Sequence, residues 1–141
     1  MSDVWGPSQF FNVKETATIT FADTAASSPV LFTVTGDVIV KIIAVCTTDL
    51  TSAAAANVEV GIAGTTNAII ATTVATTIDA REIWHDNAAD SEIEALSTAR
   101  EYIITDGNDI LITLSAQVDT GTLVFYCDWV PLSANGNVVA A

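Results

Sequence analysis

Two apolar stretches near the C-terminus decide the fold: DILITLSAQV at residues 109–118 and LVFYCDWV at residues 123–130. In each, apolar side chains recur at every second position, which is typical of a β-strand with one buried face. The residues between them, Asp119-Thr120-Gly121, place a glycine where a three-residue hairpin loop needs a left-handed conformation. We therefore predict a hairpin over 108–131, ended by Pro131. Because a lone hairpin is only marginally stable in water, the rest of the chain should supply a second layer.

Alternating or β-branched stretches predict the remaining strands. They are 13–21, 30–35, 38–47, 57–64, 68–74, 82–85 and 101–104. Residues 91–99 fit a helix with a capping box as well as they fit a strand, and 49–56 fit a loop or one helical turn. Seven to nine strands and no long helix predict an all-β fold, an antiparallel two-sheet β-sandwich. A jelly roll is one version of that sandwich, and a closed barrel is the second choice.

The 141 residues fit one domain with short additions at both ends. Residues 1–12 are predicted to be an N-terminal arm, 13–131 the sandwich, and 132–141 a small C-terminal tail. The arm contains Trp5, Phe10 and Phe11 without alternation. Large aromatic side chains on an irregular terminus need a surface to bury against. They either fold back on their own domain or dock on a neighbouring subunit.

The composition favours association with other protein molecules. Half of the residues are hydrophobic and only 15% are charged, against roughly 25% in typical soluble domains. The stretch 38–47 is apolar on both faces, so it should be a central strand or lie under a partner. A homo-oligomer is the preferred interpretation, and a monomer coated by threonine and alanine is the alternative. On the outward side of the last strand, Val124, Tyr126 and Val130 are predicted to form a subunit contact.

The formal charge of −13, from 17 acidic and 4 basic residues, disfavours nucleic acids and anionic membranes as partners. The four cations, Lys14, Lys41, Arg81 and Arg100, are too few and too scattered to bind phosphates. No apolar run is long enough for a transmembrane helix. The first residues lack the features of a signal peptide, so synthesis in a cytoplasm is expected.

Cys46 and Cys127 lie among apolar residues, which predicts two buried thiols. A disulfide between them is conceivable if their strands are neighbours, but a cytoplasmic origin argues against it. With a single histidine in the chain, a zinc site is not expected. No phosphate-binding or dinucleotide-binding glycine pattern is present. We expect no enzyme activity, no metal and no cofactor.

The acidic stretch 84–92 is the strongest candidate for a ligand loop. Asp86, Asp90 and Glu92 could supply oxygens to calcium, but they lack the order of a known calcium loop. The preferred interpretation is a solvated loop whose side chains cap turns. A carbohydrate-binding sandwich would instead expose Trp84 and His85 beside these carboxylates. His85 has no nucleophile near it in sequence, and the pair Glu92 and Glu94 resembles glycosidase carboxylates only loosely.

Two segments, EYIITDGNDI at 101–110 and GTLVFYCDWVPLS at 121–133, resemble small virion proteins of tailed bacteriophages. The resemblance covers about a quarter of the chain and implies an accessory head protein of the decoration or cement kind. Such proteins commonly assemble as oligomers, often trimers, on the outside of the capsid. The implied partners are further copies of the chain and the major capsid protein, and the implied location is the virion surface. The resemblance transfers no site residue, and a tail or connector component would share the same fold.

Overall fold

The structure is a computed structural model, and it describes residues 13–89, 91–95 and 99–141. The predicted arm, with Trp5, Phe10 and Phe11, lies outside the described residues. The strands are β1 (Val13–Thr24), β2 (Val30–Thr35), β3 (Val38–Thr51), β4 (Asn57–Ile62), β5 (Thr65–Val74), β6 (Ile83–Trp84), β7 (Glu101–Ile104), β8 (Ile110–Leu114), β9 (Val118–Pro131) and β10 (Asn137–Ala140). A short 3-10 turn, Ala75–Thr77, follows β5. None of the described residues forms a helix that is long and apolar enough to cross a membrane.

The strands form two five-stranded antiparallel sheets, which confirms the predicted sandwich. Sheet A has the order β1-β9-β3-β6, with β7 also paired to β3, and sheet B has the order β10-β2-β8-β4-β5. The chain passes from one sheet to the other between most consecutive strands, the exceptions being β4–β5 and β6–β7. The early strands β1 and β2 pair with the late strands β9 and β8 respectively. This is the strand order of an eight-stranded jelly roll in which β6 and β7 share the position beside β3 and β10 is added at one edge. Since each sheet is separate in this order, the closed barrel is not formed.

The core lies between the inward faces of the two sheets. Every second side chain of β3, from Val38 to Cys46, is buried, and so is every second side chain of β9 from Leu123 to Trp129. Trp84 of β6 is fully buried and meets Phe125 edge-to-face, with ring centroids 6.1 Å apart. Edge-to-face geometry is favourable for aromatic pairs. The period-two patterns of the sequence thus correspond to the two inner faces.

The predicted hairpin over 108–131 is wrong in its pairing. Strand β8 belongs to sheet B, whereas β9 belongs to sheet A and pairs with β1 and β3. The chain crosses between the sheets at 115–117, so Gly121 lies inside β9 and not in a loop. Its φ is +127°, and a Cβ there would come within 2.7 Å of Leu50 Cδ1 and 2.8 Å of Leu50 Cα. Glycine is required because β3 passes too close for any side chain.

Four further segments differ from the expectation. Residues 91–95 and 99 are neither helix nor strand, so both alternatives for 91–99 fail where the chain is described. Strand β3 continues to Thr51 into the predicted loop, and β5 begins at Thr65 in the predicted turn. Within 132–141, predicted as a tail, strand β10 pairs with β2. The additions to β3 and β5 consist mainly of small polar residues, which give no period that distinguishes strand from loop.

Candidate functional site

The most distinctive surface is the outer face of sheet A, the side turned away from the core. In antiparallel pairs, residues opposite each other in register point to the same side of the sheet. Following the register from β1 through β9 and β3 to β7 collects the members of this surface. They are Lys14, Thr16, Thr18, Ile39, Lys41, Ile43, Val45, Glu101, Ile103, Val124, Tyr126, Asp128 and Val130, together with Ile83 of β6, which lies opposite Val45. We call this set the sheet A face.

The sheet A face is mainly apolar. The predicted contact residues Val124, Tyr126 and Val130 all lie on it, opposite Val45, Ile43 and Ile39 of β3 respectively. Tyr126 is 42% exposed and Ile103 is 68% exposed, while the other apolar members are half-buried. A contiguous group of half-covered β-branched side chains on the outside of a sheet is a typical contact surface between proteins.

A row of four charges crosses the sheet A face at right angles to the strands. Lys14 of β1 is in register with Asp128 of β9, Asp128 with Lys41 of β3, and Lys41 with Glu101 of β7. The signs therefore alternate across four neighbouring strands, and the row carries no net formal charge. Opposite charges directly across antiparallel strands stabilise the pairing modestly. The row separates the Ile39–Val130 pair from the larger apolar area around Tyr126.

Asp128 is the best-buried member of this row. It is only 9% exposed, and neither of its carboxylate oxygens accepts a hydrogen bond from the described residues. Burial raises the pKa of Asp128, the charges of Lys14 and Lys41 lower it in part, and the charge of Glu101 raises it again. A desolvated carboxylate without donors is costly, so this group would gain from an additional cation.

The end of sheet A beyond Val124 is polar because of uncharged threonine side chains, in contrast to the charged row. Threonine hydroxyls pair across strands there, with 3.3 Å between Thr20 Oγ1 and Thr122 Oγ1 and 2.7 Å between Thr51 Oγ1 and Thr120 Oγ1. These hydroxyls satisfy each other and present methyl groups and oxygens to solvent. The apolar part of the sheet A face therefore has a distinct polar boundary on this side.

Sequence reasoning found three members of the sheet A face and missed the rest. The signal for Ile39, Ile43 and Val45 was present, because the second face of β3 is also apolar. The charged row could not be found, because it depends on β9 lying between β1 and β3. The predicted hairpin would have placed β8 beside β9.

The candidate ligand loop is arranged differently from either hypothesis for it. Trp84 is fully buried, and its Nε1 donates to Thr73 Oγ1 at 2.8 Å, so it offers no sugar-stacking surface. His85 is also buried, and its Nε2 is paired with the carboxylate of Glu94. Because residues 91–95 are not a strand, Glu92 and Glu94 do not share a strand face, and their carboxylates contact Arg81 and His85 respectively. Sequence reasoning missed the His85–Glu94 pair, for which the spacing gives no signal.

The carboxylates of this loop have other partners. Glu92 forms an ion pair with Arg81 at 2.7 Å. Asp86 accepts a hydrogen bond from the backbone N–H of Ala88 at 2.9 Å, which is the turn-capping role expected for the loop. Asp90 lies outside the described residues. Among those described, no three or more His, Cys, Asp and Glu side chains are grouped as metal ligands would be.

A cleft of about 260 Å³ opens beside this loop. His85, Asp86, Arg100 and Tyr102 line it together with residues from the start of β5. The Tyr102 hydroxyl donates to the backbone carbonyl of Ile69 at 3.2 Å, which ties β7 to β5 across one wall. The cleft provides the concavity that a carbohydrate-binding site would need. The buried Trp84 cannot be the side chain on which a sugar would stack.

Both cysteines are buried free thiols, as predicted. Burial raises the pKa of Cys46 to about 11 and that of Cys127 to about 12. Their strands are neighbours, but Cys127 is in register with Ile42 and Cys46 with Leu123. Four positions along a strand separate the thiols by about 13 Å, which is too far for a disulfide.

Comparisons with known proteins gave one similar fold. No protein-family model and no curated protein matches the sequence. The chain is similar to one in the acidic stable capsid structure of Helicobacter pylori bacteriophage KHP30. The two are 14% identical, the alignment covers 92% of this chain and 94% of that chain, and the TM-score is 0.45. Functional conclusions for this chain therefore rest on its own residues.

Proposed function

We propose that this protein is a structural component of a phage virion that binds the outside of the capsid and stabilises it by bridging subunits. The observation that carries the proposal is the sheet A face, whose apolar members come from β3, β6, β7 and β9 and are left partly exposed in a single copy. The segments that resemble phage virion proteins build this same surface. Residues 101–104 are β7, and residues 121–131 are most of β9.

In this proposal the two predicted contact regions have separate tasks. The sheet A face, with Val124, Tyr126 and Val130, joins copies of the chain to one another. The arm, with Trp5, Phe10 and Phe11, anchors each copy on the major capsid protein. Linking several weak anchors through one oligomer raises the effective affinity for a repetitive shell without any new contact.

The mechanism is mechanical. A protein that contacts two adjacent capsid subunits at once binds the assembled shell and not the separated subunits. Its binding free energy therefore stabilises the shell by mass action. The charge of −13 disfavours binding of the protein to the packaged nucleic acid. Such a role needs surfaces and no catalytic group.

The test is binding to heads assembled from the major capsid protein of the phage that encodes this chain. We expect saturable co-sedimentation and a higher temperature of shell disruption. Tyr126→Lys should weaken the apparent affinity, because it places a charge in the apolar surface. Thr33→Lys, on the exposed side of sheet B, is the matched control and should bind normally. Failure of the wild-type protein to bind these heads, together with retention on a glycan column, would replace the proposal with the carbohydrate-binding alternative.

A further inference from the structure

We propose that the sheet A face pairs with the same face of a second copy, about a two-fold axis that runs parallel to the strands between β9 and β3. This inference deepens the self-association part of the proposed function, on which it rests, but it requires no capsid. The charged row Lys14–Asp128–Lys41–Glu101 specifies the arrangement, because its alternating signs are self-complementary in one orientation only.

The geometry follows from the position of each strand. A two-fold axis parallel to the strands reverses the order of the strands in the second copy. It leaves the position of each residue along the strand direction unchanged. Asp128 then faces Lys41 of the second copy, and Lys14 faces Glu101 of the second copy. The row has four members, so every charge meets one of opposite sign. The central pair lies within about half a strand spacing, roughly 2.4 Å, of the axis, so the twist of the facing sheets hardly displaces it.

The other two-fold arrangement in which the charged row faces itself fails electrostatically. A two-fold axis within the interface but perpendicular to the strands keeps the strand order. Lys14 would then face Lys14 of the second copy, and Asp128 would face Asp128. Like charges facing each other in an interface strongly disfavour that arrangement. The row therefore selects one orientation of the partner, as charge patterns at specific interfaces commonly do.

The apolar rows support the same orientation. Because the axis leaves the position of each residue along the strands unchanged, residues that are in register in one copy face each other between copies. Ile43 therefore faces Tyr126 of the second copy, and Val45 faces Val124 of the second copy. At the other side of the charged row, Ile39 faces Val130 of the second copy. At these three positions apolar side chains therefore face apolar side chains.

The charge distribution of the whole chain favours this surface over others. The formal charge is −13, so copies repel each other over most of their surface. Both lysines of the chain lie in the row, where they balance Asp128 and Glu101. The buried Asp128 carboxylate, which accepts no hydrogen bond from the described residues, would receive the ammonium group of Lys41 from the second copy.

The area of the sheet A face sets the affinity expected between two copies. Four strands are about 19 Å wide, and the seven residues from Val124 to Val130 span about 23 Å, or roughly 440 Å² in projection per copy. Two copies would together bury about 880 Å², which is below the roughly 1,200 Å² of stable interfaces and in the range of weak, transient ones. A reversible dimer is therefore expected in solution, with firmer pairing when copies are held side by side on a larger surface.

The test uses two charge reversals that are complementary to each other. Asp128→Lys gives the row three positive charges and places Lys41 opposite the new lysine of the second copy. Lys41→Asp gives three negative charges and places Asp128 opposite the new aspartate. In sedimentation equilibrium, each variant alone should dimerise at least about 100-fold more weakly than wild type. An equimolar mixture should form a heterodimer, because every facing pair in it has opposite signs.

The controls separate this effect from net charge and from folding. Asp128→Lys lowers the net negative charge, so a non-specific charge effect would strengthen its association. Thr33→Lys and Thr33→Asp, on the exposed side of sheet B, should dimerise like wild type. If a reversal prevents folding, zero-length carbodiimide crosslinking of mixed ¹⁴N and ¹⁵N wild-type chains should give a Lys41–Asp128 link between copies.

Several results would overturn the inference. They are a monomeric wild type at millimolar concentration, single variants that dimerise normally, and a mixture that stays monomeric although both variants fold. Association that is lost on deletion of residues 1–12 but is insensitive to both reversals would assign the contact to the arm. These outcomes leave head binding untouched, so failure of the pairing and failure of the proposed function are distinguishable.

Discussion

Alanine substitution at three glycines tests the topology of the sandwich quantitatively. Gly64 has no atom within 4 Å of an added Cβ and an ordinary φ. Gly107 has the same open space but a φ of +81°. Gly121 has a φ of +127° and would bring a Cβ within 2.8 Å of the Leu50 backbone. An alanine at Gly64 therefore meets neither a conformational nor a steric cost, and one at Gly107 meets the conformational cost alone. An alanine at Gly121 meets both costs.

The expected losses of unfolding free energy follow from these environments. Gly64→Ala should change stability by no more than about 0.5 kcal/mol, with a small gain from the stiffer unfolded chain. Gly107→Ala should cost about 1–2 kcal/mol for a left-handed alanine. Gly121→Ala adds overpacking against backbone to that cost, for a total of about 2–5 kcal/mol. At about 4 °C per kcal/mol for a domain of this size, Gly121→Ala should lower Tm by about 8–20 °C.

Urea unfolding followed by circular dichroism measures all three variants. The order of losses should be Gly64, then Gly107, then Gly121, with the largest step at Gly121. If Gly121→Ala costs no more than Gly107→Ala, Gly121 does not lie against β3. The position would then be an ordinary loop residue, as a hairpin between β8 and β9 would make it.

Three further outcomes are expected. Phe125→Ala should cost about 3–5 kcal/mol, because it opens a cavity beside the buried Trp84 ring; a urea midpoint close to that of wild type would contradict the packing. Cys46 and Cys127 should not react with a thiol-specific disulfide reagent at about pH 8 until urea unfolds the chain, because both are buried with pKa values of about 11 and about 12; rapid labelling of the native protein would refute this. Because the pKa of Asp128 is raised, the Asp128 carboxyl is protonated at a higher pH in the folded state than in the unfolded state. The contribution of Asp128 to the free energy of unfolding therefore increases as pH falls from neutral towards the pKa of an unfolded aspartate, about 3.9. Asp128→Asn should remove that increase in urea titrations of the dilute monomer, and an unchanged pH dependence would contradict it.

The fold class could be predicted because burial in a sandwich follows the period-two pattern of the sequence. The inward residues of β9, Leu123, Phe125, Cys127 and Trp129, are buried as the pattern predicts. The pairing of strands could not be predicted, because alternation identifies a face and not a neighbour. The Asp119-Thr120-Gly121 segment predicts a turn wrongly, since a glycine that a close β3 requires looks the same in sequence as a glycine that a turn requires.

The candidate site could be predicted in part for the same reason. Val124, Tyr126 and Val130 were identifiable from one strand, since their alternation with the inward residues is local. To predict the Lys14–Asp128–Lys41–Glu101 row, the pairings β1–β9, β9–β3 and β3–β7 must all be known together. The members of the row are up to 114 positions apart in sequence. Sequence reasoning described the same cations as scattered, whereas the register brings the two lysines to either side of one carboxylate.

The most direct measurement of the central claim is an isotope-filtered NOE experiment on a mixture of ¹³C-labelled and unlabelled chains. Only contacts between copies give signals in such a mixture. Pairing of the sheet A face predicts NOEs from the methyl groups of Ile43 to the ring of Tyr126 in the other copy, and from Val45 to Val124 in the other copy. Intermolecular NOEs confined to sheet B, or none at concentrations where the protein is oligomeric, would contradict the claim.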